Sequence, residues 1–189
     1  MTRGTVRIIA GQWRGRRVKV PSIENLRPTP DRVRETLFNW LAPVIQGARC
    51  LDVFSGSGIL GFEALSRGAA QVIMVDESQD AVDLITSQLQ HFDAHNAVAY
   101  RASAPGQLRV VLQPFDIAFI DPPYDSELLF PTCQYLEENN FLADGAYIYL
   151  EARHTIKDNE LPAGWHVVRH QQAGQVMFHL IHRESDKNE

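Results

Sequence analysis

The chain is poor in cysteine and carries no cluster of metal-binding residue types. Its two cysteines, Cys50 and Cys133, lie far apart and outside any C-x-x-C pair, so neither a disulfide framework nor a zinc site is indicated. The seven histidines are scattered along the chain. His179 and His182 stand three residues apart in strand-like sequence and would point to opposite faces. We therefore expect no metal centre.

Long apolar runs are also missing. No stretch approaches the roughly 20 apolar residues that a membrane helix needs, and residues 1–7 enter alternating, strand-like sequence where a signal peptide would have an apolar segment. Hydrophobic residues make up 44% of the 189 positions, which is enough to fill a core. The length fits one domain of about 150 to 200 residues, without internal repeats or low-complexity linkers. We expect a cytoplasmic, monomeric enzyme with no membrane partner.

Positive charge is concentrated at the start of the chain. The net charge is −5, yet residues 1–34 hold nine Lys or Arg against two acids, Glu24 and Asp31. Such asymmetry indicates a polyanionic partner. Within residues 7–20, two β-prone runs flank a basic, glycine-bearing turn, which predicts a hairpin whose tip carries Trp13, Arg14, Arg16 and Arg17. These cations would bind phosphates through a salt-sensitive attraction; the alternative is an ordinary solvated hairpin.

The remaining sequence alternates between strand-like and helix-like segments. Apolar spacing of three and four predicts a helix that starts near Asp31 and runs to Leu41. The predicted strands that follow are 49–54, 71–76, 97–101, 115–120 and 145–150. The predicted helices between them are 57–67, 79–92, a short one near 104–111, and 126–139. Five strands with helical crossovers predict an α/β fold with a parallel, doubly wound sheet, and the segments 165–170 and 175–181 predict an added antiparallel hairpin.

A glycine-rich turn follows the first strand of this sheet. Residues 50–61, C-L-D-V-F-S-G-S-G-I-L-G, run from an apolar strand into G-x-G-x-x-G and then a helix, a pattern that also fits dinucleotide-binding proteins. Asp52 stands at the strand's end, where the alternative role is to cap the helix. The next strand ends in Asp76, placed to accept both hydroxyls of a ribose. NAD and S-adenosylmethionine fit these acids equally well.

A second motif, Asp121-Pro122-Pro123-Tyr124, follows the apolar run 115–120. The two prolines fix φ and remove two backbone donors, so the turn offers carbonyl oxygens and the Asp121 carboxylate, all of them acceptors. An exocyclic NH2 group supplies the matching donors, and Tyr124 offers a face on which a nucleobase can stack, at roughly 1–3 kcal/mol per base. The alternative is that the prolines only end a strand.

Both motifs follow strands of the same predicted sheet, and ligands of open α/β sheets bind at the carboxyl ends of the strands. A methyl donor at the glycine loop and an amine at Asp121 would therefore share one crevice. A nicotinamide enzyme would need a hydride-acceptor site and usually a second domain. The methyl-transfer interpretation needs only what this chain contains.

Four stretches of the chain resemble one family, the RsmD-type methyltransferases that modify N2 of a guanine in bacterial small-subunit ribosomal RNA. The stretches are R-I-I-A-G-Q-W-R-G-R at 7–16, L-R-P-T-P-D-R-V-R-E-T-L-F-N-W-L at 26–41, L-D-V-F-S-G-S-G at 51–58 and D-P-P-Y at 121–124. The first two are specific to the family. The last two are shared with other methyltransferases that act on amino groups.

The resemblance implies a class I methyltransferase with a Rossmann-like, seven-stranded, mostly parallel sheet and S-adenosylmethionine as cofactor. It also implies 16S ribosomal RNA as the partner, within an assembled or assembling 30S subunit. In this interpretation residues 1–25 form a basic hairpin extension, 26–183 the methyltransferase domain and 184–189 a disordered tail. The alternatives are a DNA adenine-N6 methyltransferase and a non-catalytic, RNA-binding ribosome-assembly factor.

The resemblance and the motifs together give three sets of candidate site residues. The catalytic set is Asp121, Pro122, Pro123 and Tyr124. The cofactor-binding set is Asp52, Phe54, Ser55, Gly56, Ser57, Gly58, Asp76 and Ser103, the last as the residue that meets the adenine. The RNA-binding set is Arg7, Trp13, Arg14, Arg16, Arg17, Lys19 and Arg27, while Thr29 and Arg34 are left without an assigned role.

Overall fold

The computed structural model describes residues 2–23, 28–109, 113–123 and 126–184. In these ranges the chain forms nine strands and four α-helices. The strands are β1 Thr2–Arg7, β2 Arg17–Pro21, β3 Arg49–Asp52, β4 Gln71–Asp76, β5 Ala97–Arg101, β6 Phe115–Ile120, β7 Leu142–Ala152, β8 Trp165–Ala173 and β9 Val176–Arg183. The helices are α1 Asp31–Trp40, α2 Ile59–Ser66, α3 Gln79–His91 and α4 Leu129–Glu138, and a 3₁₀ turn spans Asp158–Glu160.

Seven strands form one sheet in the order β5-β4-β3-β6-β7-β9-β8. The five strands from β5 to β7 are parallel, and β9 is antiparallel to both β7 and β8. The parallel sheet and its antiparallel hairpin are therefore confirmed. Along the chain, β3, β4 and β5 are added in one direction, and β6 is then placed on the other side of β3. The strand order therefore reverses between β3 and β6, and sheets of this kind have a ligand-binding crevice at such a point.

The sheet is covered on both faces, which explains why its central strands are mostly apolar. Alternate residues such as Cys50, Phe119 and Tyr149 pack with helices α1, α2 and α3 on one face. Their neighbours, among them Leu51 and Ile120, pack with α4 on the other. Strands buried on both faces carry near-continuous hydrophobic runs, as β6 does in F-D-I-A-F-I.

The amino-terminal hairpin is present, but its connection folds back onto α2. β1 and β2 form a separate antiparallel pair. In the connection, Trp13 is only 9% exposed, with ring centroids 6.4 Å from Phe62 and 5.0 Å from Phe92. The indole of Trp13, which was predicted at the hairpin tip among the RNA-binding residues, is therefore buried, because it gains more from packing against two rings than from solvent exposure. Its role in RNA binding stays a prediction. Ile8 and Val18 join the same buried cluster, so the hairpin shares the core of the main domain.

Gly11 fixes the path of this connection. The backbone N–H of Gln12 donates to the Ser66 carbonyl at 2.8 Å, and that of Trp13 donates to Ser66 Oγ at 3.0 Å. Gly11 has φ +83°, and a Cβ at this position would lie 1.8 Å from the Ser66 carbonyl oxygen. Only glycine fits such a close approach of two backbones.

A buried carboxylate, Glu63 of α2, joins the hairpin to the domain. It accepts the backbone N–H groups of Ile9 and Ala10 at 2.9 and 3.1 Å. It also accepts Arg34 Nη1 at 3.3 Å and Arg67 Nε at 2.9 Å. Because Glu63 and Arg34 have fully buried side chains, each charge depends on the other for compensation.

Arg34 extends this network from α1. Its guanidinium donates to the carbonyls of Thr29 and Arg7 and to Asp31 Oδ1. Burial lowers the pKa of Arg34, while the negative charges of Glu63 and Asp31 oppose that shift. Arg34, which had no assigned role, therefore ties together α1, the segment before it and β1.

Two further expectations are corrected. Residues 104–107 form turns and no helix follows them up to residue 109, because Pro105 and Gly106 favour turns. Residues 110 and 111 of the predicted short helix lie outside the described part. Glu184, expected in a disordered tail, donates its backbone N–H to the Gly164 carbonyl at 2.8 Å. Residues 185–189 lie outside the described ranges. Within those ranges, none of the helices is both long and apolar enough for a bilayer crossing.

We predict that Glu63→Gln destabilises the protein by about 3–5 kcal/mol, because it removes the buried partner of the Arg34 charge. The free energy of unfolding in urea measures the effect. The matched control is Glu35→Gln, which makes the same change on the exposed face of α1 and should stay within about 0.5 kcal/mol. Equal stability of the two variants would contradict the role given to Glu63.

Candidate active site

A cavity of about 410 Å³ opens at the carboxyl ends of β3, β4 and β6. Most of its polar groups come from three segments that lie at or directly after the ends of these strands, and Thr29, which precedes α1, adds another. The lining residues are Ile23, Pro28, Thr29, Asp52, Val53, Phe54, Ser55, Gly56, Ser57, Ile59, Leu60, Asp76, Glu77, Ser78, Ala102, Ala104, Asp121, Pro122, Pro123 and Leu128. The glycine loop and the Asp121 corner, which are distant in sequence, thus share one cavity.

The glycine loop turns the chain from β3 into α2. Gly58 has φ +76°, donates its N–H to the Ser55 carbonyl at 2.6 Å, and accepts from the Phe62 N–H at 2.9 Å, which starts the helix. A Cβ on Gly61 would lie 2.6 Å from Met74 Sδ, so this glycine allows α2 to pack closely on β4. Gly58 itself is not among the lining residues, so its contribution is to shape the turn.

Asp76 links the glycine loop to the start of α3. Its Oδ2 accepts the backbone N–H of Gly56 at 2.7 Å, and its Oδ1 accepts that of Ser78 at 2.9 Å. Ser78 in turn caps α3, accepting from the Ala81 N–H at 3.3 Å. A carboxylate oxygen accepts more than one hydrogen bond, so Asp76 can hold the loop and still accept the hydroxyls of a ribose.

Asp52, which lines the cavity, has a buried carboxyl oxygen without a hydrogen-bond partner in the described part of the chain. Its side chain is 3% exposed, and among the described residues its Oδ2 has no hydrogen-bond partner. Burial first, and then the negative charge of Asp76, raises the pKa of Asp52 to about 7. Since an unpaired buried carboxylate is costly, the site favours a ligand that brings a positive charge or a donor to Asp52.

Asp121, Pro122 and Pro123 form the opposite wall. Asp121 is half-buried and Pro122 is buried, while the Pro123 carbonyl accepts the backbone N–H and the Oγ of Ser126 at 2.9 and 2.7 Å. Burial, followed by the negative charges of Glu151 and Asp52, raises the pKa of Asp121 well above its usual range. Tyr124 lies outside the described residues.

The adenine-recognition candidate, Ser103, is placed differently from its neighbours. Its side chain is exposed, its backbone N–H donates to Gln107 Oε1 at 3.0 Å, and it is not among the lining residues. The cavity is lined instead by Ala102 and Ala104 on either side of it. A role for Ser103 in holding the cofactor stays a prediction.

Several lining residues were not predicted. Glu77 and Ser78 directly follow Asp76, so their position after the predicted strand 71–76 could have identified them. Thr29 lies in the family-specific stretch 26–41. The resemblance pointed to this stretch, but it gave Thr29 no chemical role. The other unpredicted lining residues are Ile23, Pro28, Val53, Ile59, Leu60, Ala102, Ala104 and Leu128.

The candidate RNA-binding cations differ in how freely they reach solvent. Arg16 is half-buried, with its guanidinium 3.9 Å from the Phe92 ring centroid and its Nη2 donating to the His91 carbonyl. Arg17 donates to Thr5 Oγ1 at 3.1 Å, while Arg27 lies outside the described residues. The exposed members are Arg7, Arg14, Arg17 and Lys19, so the surface retains a basic strip, whose function stays a prediction.

The sheet order, the antiparallel β9 and the acids at the ends of β3 and β4 define a class I methyltransferase fold. Solved structures agree: yhhF from Escherichia coli has a TM-score of 0.84 at 45% identity, covering 97% of this chain and 100% of that one. HI0767 from Haemophilus influenzae has a TM-score of 0.79 at 36% identity, covering 96% of this chain and 100% of that one.

Sequence comparison makes the assignment more specific. A family model described as "Conserved hypothetical protein 95" matches residues 6–182. The Escherichia coli K12 protein named ribosomal RNA small subunit methyltransferase D is 46% identical over 182 residues, 96% of this chain and 92% of that protein. The protein of the same name from Haemophilus influenzae is 42% identical over 185 residues, 94% of each chain. The chain belongs to the RsmD family and is a methyltransferase, which confirms the resemblance.

We predict that Asp52 makes the free energy of unfolding fall as the pH rises from about 4 to about 7, by a few kcal/mol at most. Its pKa is raised in the folded state, so the folded protein holds a proton there that the unfolded chain releases. Asp52→Asn removes this dependence. Urea unfolding across pH 4 to 8 should show the variant gaining stability over the wild type as the pH increases.

The control for this measurement is Asp80→Asn, which neutralises an exposed carboxylate in the first turn of α3. Its stability difference from the wild type should change little between pH 5 and 8. A constant difference for Asp52→Asn over the same interval would show that the buried carboxylate is not protonated in the folded state.

Proposed function

We propose that this enzyme transfers a methyl group from S-adenosylmethionine to the exocyclic N2 amine of a guanine in 16S ribosomal RNA, within an assembled or assembling 30S subunit. The observation that carries the proposal is that the glycine loop and the acceptor corner Asp121–Pro123 line one cavity. The names of the Escherichia coli and Haemophilus influenzae relatives support ribosomal RNA of the small subunit as the substrate class.

The cavity fits the proposed cofactor at several points. Apolar side chains of Val53, Leu60, Ala102 and Ala104 suit a flat adenine, and Asp76 suits a ribose. The unpartnered Oδ2 of Asp52 suits the ammonium group of a methionine. When bound, S-adenosylmethionine supplies an electrophilic methyl group. The protein's part is to hold an amine in line with it and to exclude water.

The Asp121 corner suits the amine. The N2 lone pair of guanine is delocalised into the ring, so the nitrogen is a weak nucleophile. The Asp121 carboxylate and the Pro122 carbonyl can accept its two N–H bonds, fix its orientation and favour the pyramidal form, so that proximity supplies the larger share of the rate enhancement. Because the corner lies inside a cavity, the base must first leave its stack.

The basic strip suits the RNA backbone. Arg14, Arg17 and Lys19 are exposed on the hairpin in a protein whose net charge is −5, so the strip offers a local positive charge that attracts phosphate. Contacts to phosphate position a nucleic acid without reading its sequence. The strip would therefore set the register that brings one guanine to the cavity.

The first test is genetic and chemical. Cells that lack this protein should lose one N2-methylguanosine from 16S ribosomal RNA, detected by nucleoside mass spectrometry, and the wild-type chain should restore it. We predict that Asp121→Ala does not restore it and lowers methyl transfer by about 10²-fold or more, since it removes a preorganised acceptor. Transfer of tritiated methyl to 30S particles from the deletion strain measures the rate.

Affinity for S-adenosylhomocysteine, measured by calorimetry, should change little in Asp121→Ala. The control is Glu127→Ala, an exposed carboxylate a few residues further along, which should keep near-wild-type transfer. Unaltered RNA in the deletion strain would reject the proposed function, and near-normal transfer by Asp121→Ala would reject the role of the carboxylate.

We further predict that the double variant Arg14→Gln, Arg17→Gln binds 30S particles more weakly and with a flatter salt dependence. The slope of the logarithm of the binding constant against the logarithm of the salt concentration should decrease in magnitude by about one unit for each phosphate that the variant no longer neutralises. S-adenosylhomocysteine binding should stay unchanged. The matched control is Arg109→Gln, Arg169→Gln, with the same charge change at exposed sites elsewhere. A parallel decrease of affinity in both double variants would mean that only net charge matters.

A further inference from the structure

Three acids lie near the carboxyl edge of the sheet, two of them at the same level. In the parallel pair β6–β7, Ile120 is in register with Leu150, so the next residues, Asp121 and Glu151, are neighbours. On the other side, Asp52 of β3 is in register with Phe119. Because side chains alternate along a strand, these acids share the face of the sheet that α1 and α2 cover.

Glu151 lies behind Asp121, away from the cavity. Its side chain is 7% exposed and it is not among the lining residues, whereas Asp121 is. The phenol O–H of Tyr149 donates to Glu151 Oε1 at 2.5 Å. The residue in register with Glu151 on β9 is Phe178, which is 1% exposed, so on that side the carboxylate faces an apolar ring.

Two neighbouring carboxylates in such surroundings do not both ionise easily, and their protons bind as a pair. We propose that Glu151 shares a proton with Asp121 and so maintains Asp121 as the base that receives the proton released by the methylated N2 nitrogen. Glu151 is thus a positioning residue that acts through Asp121. The inference rests on the proposed function for its chemistry, but the shared proton is a property of the free protein.

The step balances without a further reactant. The N2 lone pair forms the new N–CH3 bond, the S–CH3 bond breaks, and the sulfonium leaves as a neutral thioether. The nitrogen, now cationic, loses one N–H bond, and that proton passes to the Asp121 carboxylate. Before transfer the pair carries one shared proton and one negative charge, so Asp121 can accept the proton from nitrogen. The pair is then neutral, and it releases one proton to solvent as the product departs.

The charges around Asp121 are consistent with this role. Burial and the charge of Glu151, with a smaller contribution from Asp52, raise the pKa of Asp121. The charge of Asp52 on β3 acts on Asp121, the phenol of Tyr149 on β7 donates to Glu151, and β9 presents the apolar Phe178. Glu151 is thus the larger of the two charge contributions.

We predict that Glu151→Gln lowers kcat at neutral pH and moves the acidic limb of the kcat profile to lower pH by about one unit or more, because the loss of one negative charge lowers the pKa of Asp121. Tyr149→Phe removes a hydrogen-bond donor that favours the ionised form of Glu151, so the shared proton moves toward Glu151. The acidic limb of the kcat profile should then also move to lower pH, by a smaller amount than in Glu151→Gln. A purely structural role would lower the rate and leave the limb in place, which would overturn the proposal.

A second readout needs no RNA. In the free protein, carbon-13 NMR of side-chain carboxyls, with Asp121 assigned by its loss in Asp121→Asn, should show Asp121 titrating above its usual range. Glu151→Gln should bring that titration down, and Glu127→Gln, an exposed control, should not. An unchanged Asp121 titration in Glu151→Gln overturns the shared proton. The two proposals can fail separately. If Glu151→Gln lowers the pKa of Asp121 but the wild-type protein methylates no ribosomal RNA, the proposed function is rejected and the shared proton is retained.

Discussion

The buried ion pair between Glu63 and Arg34 is the interaction on which the arrangement of this protein depends. Glu63 accepts two backbone N–H groups from the hairpin connection and the guanidinium groups of Arg34 and Arg67. Arg34 reaches the Thr29 carbonyl, and Thr29 lines the cavity. One pair of charges, buried away from water, therefore fixes the hairpin, the start of α1 and one wall of the cavity in a single arrangement. Hydrogen bonds from several elements are what make such a pair tolerable in a core.

The site itself is organised by acids whose surroundings differ. Asp76 is satisfied by the backbone of Gly56 and Ser78 and serves to hold the loop in shape. Asp52 keeps an oxygen without a partner among the described residues, and Asp121 stands beside a second carboxylate. One residue type is thus suited to different tasks, holding the loop at Asp76 and, as proposed, binding the cofactor at Asp52 and accepting a proton at Asp121, because burial and neighbours set each carboxylate's preference for charge.

The sheet and the grouping of the three aspartates were predictable from sequence because the central strands are parallel. Its central strands are apolar runs, and their carboxyl ends meet at one edge, so Asp52, Asp76 and Asp121 could be placed together without coordinates. The features that escaped prediction depend on contacts between residues distant in sequence. Trp13 packs on Phe62 and Phe92, and Glu63 pairs with Arg34, 29 residues away. The role proposed for Glu151 depends on strand register, and β7 continues past the predicted end at residue 150 to Ala152.

The position of β9 inside the sheet has a consequence for how the protein can fail. β9 lies between β7 and β8, and Arg183 at its end is held by Glu137 and Asp144. If the β8–β9 hairpin detached, the long strand β7 would present an unpaired backbone edge flanked by Ile148 and Leu150, which are otherwise fully buried. Exposed apolar edges of this kind recruit strands from other molecules. Substitutions that loosen the hairpin would therefore cause aggregation before they altered the chemistry of the distant glycine loop.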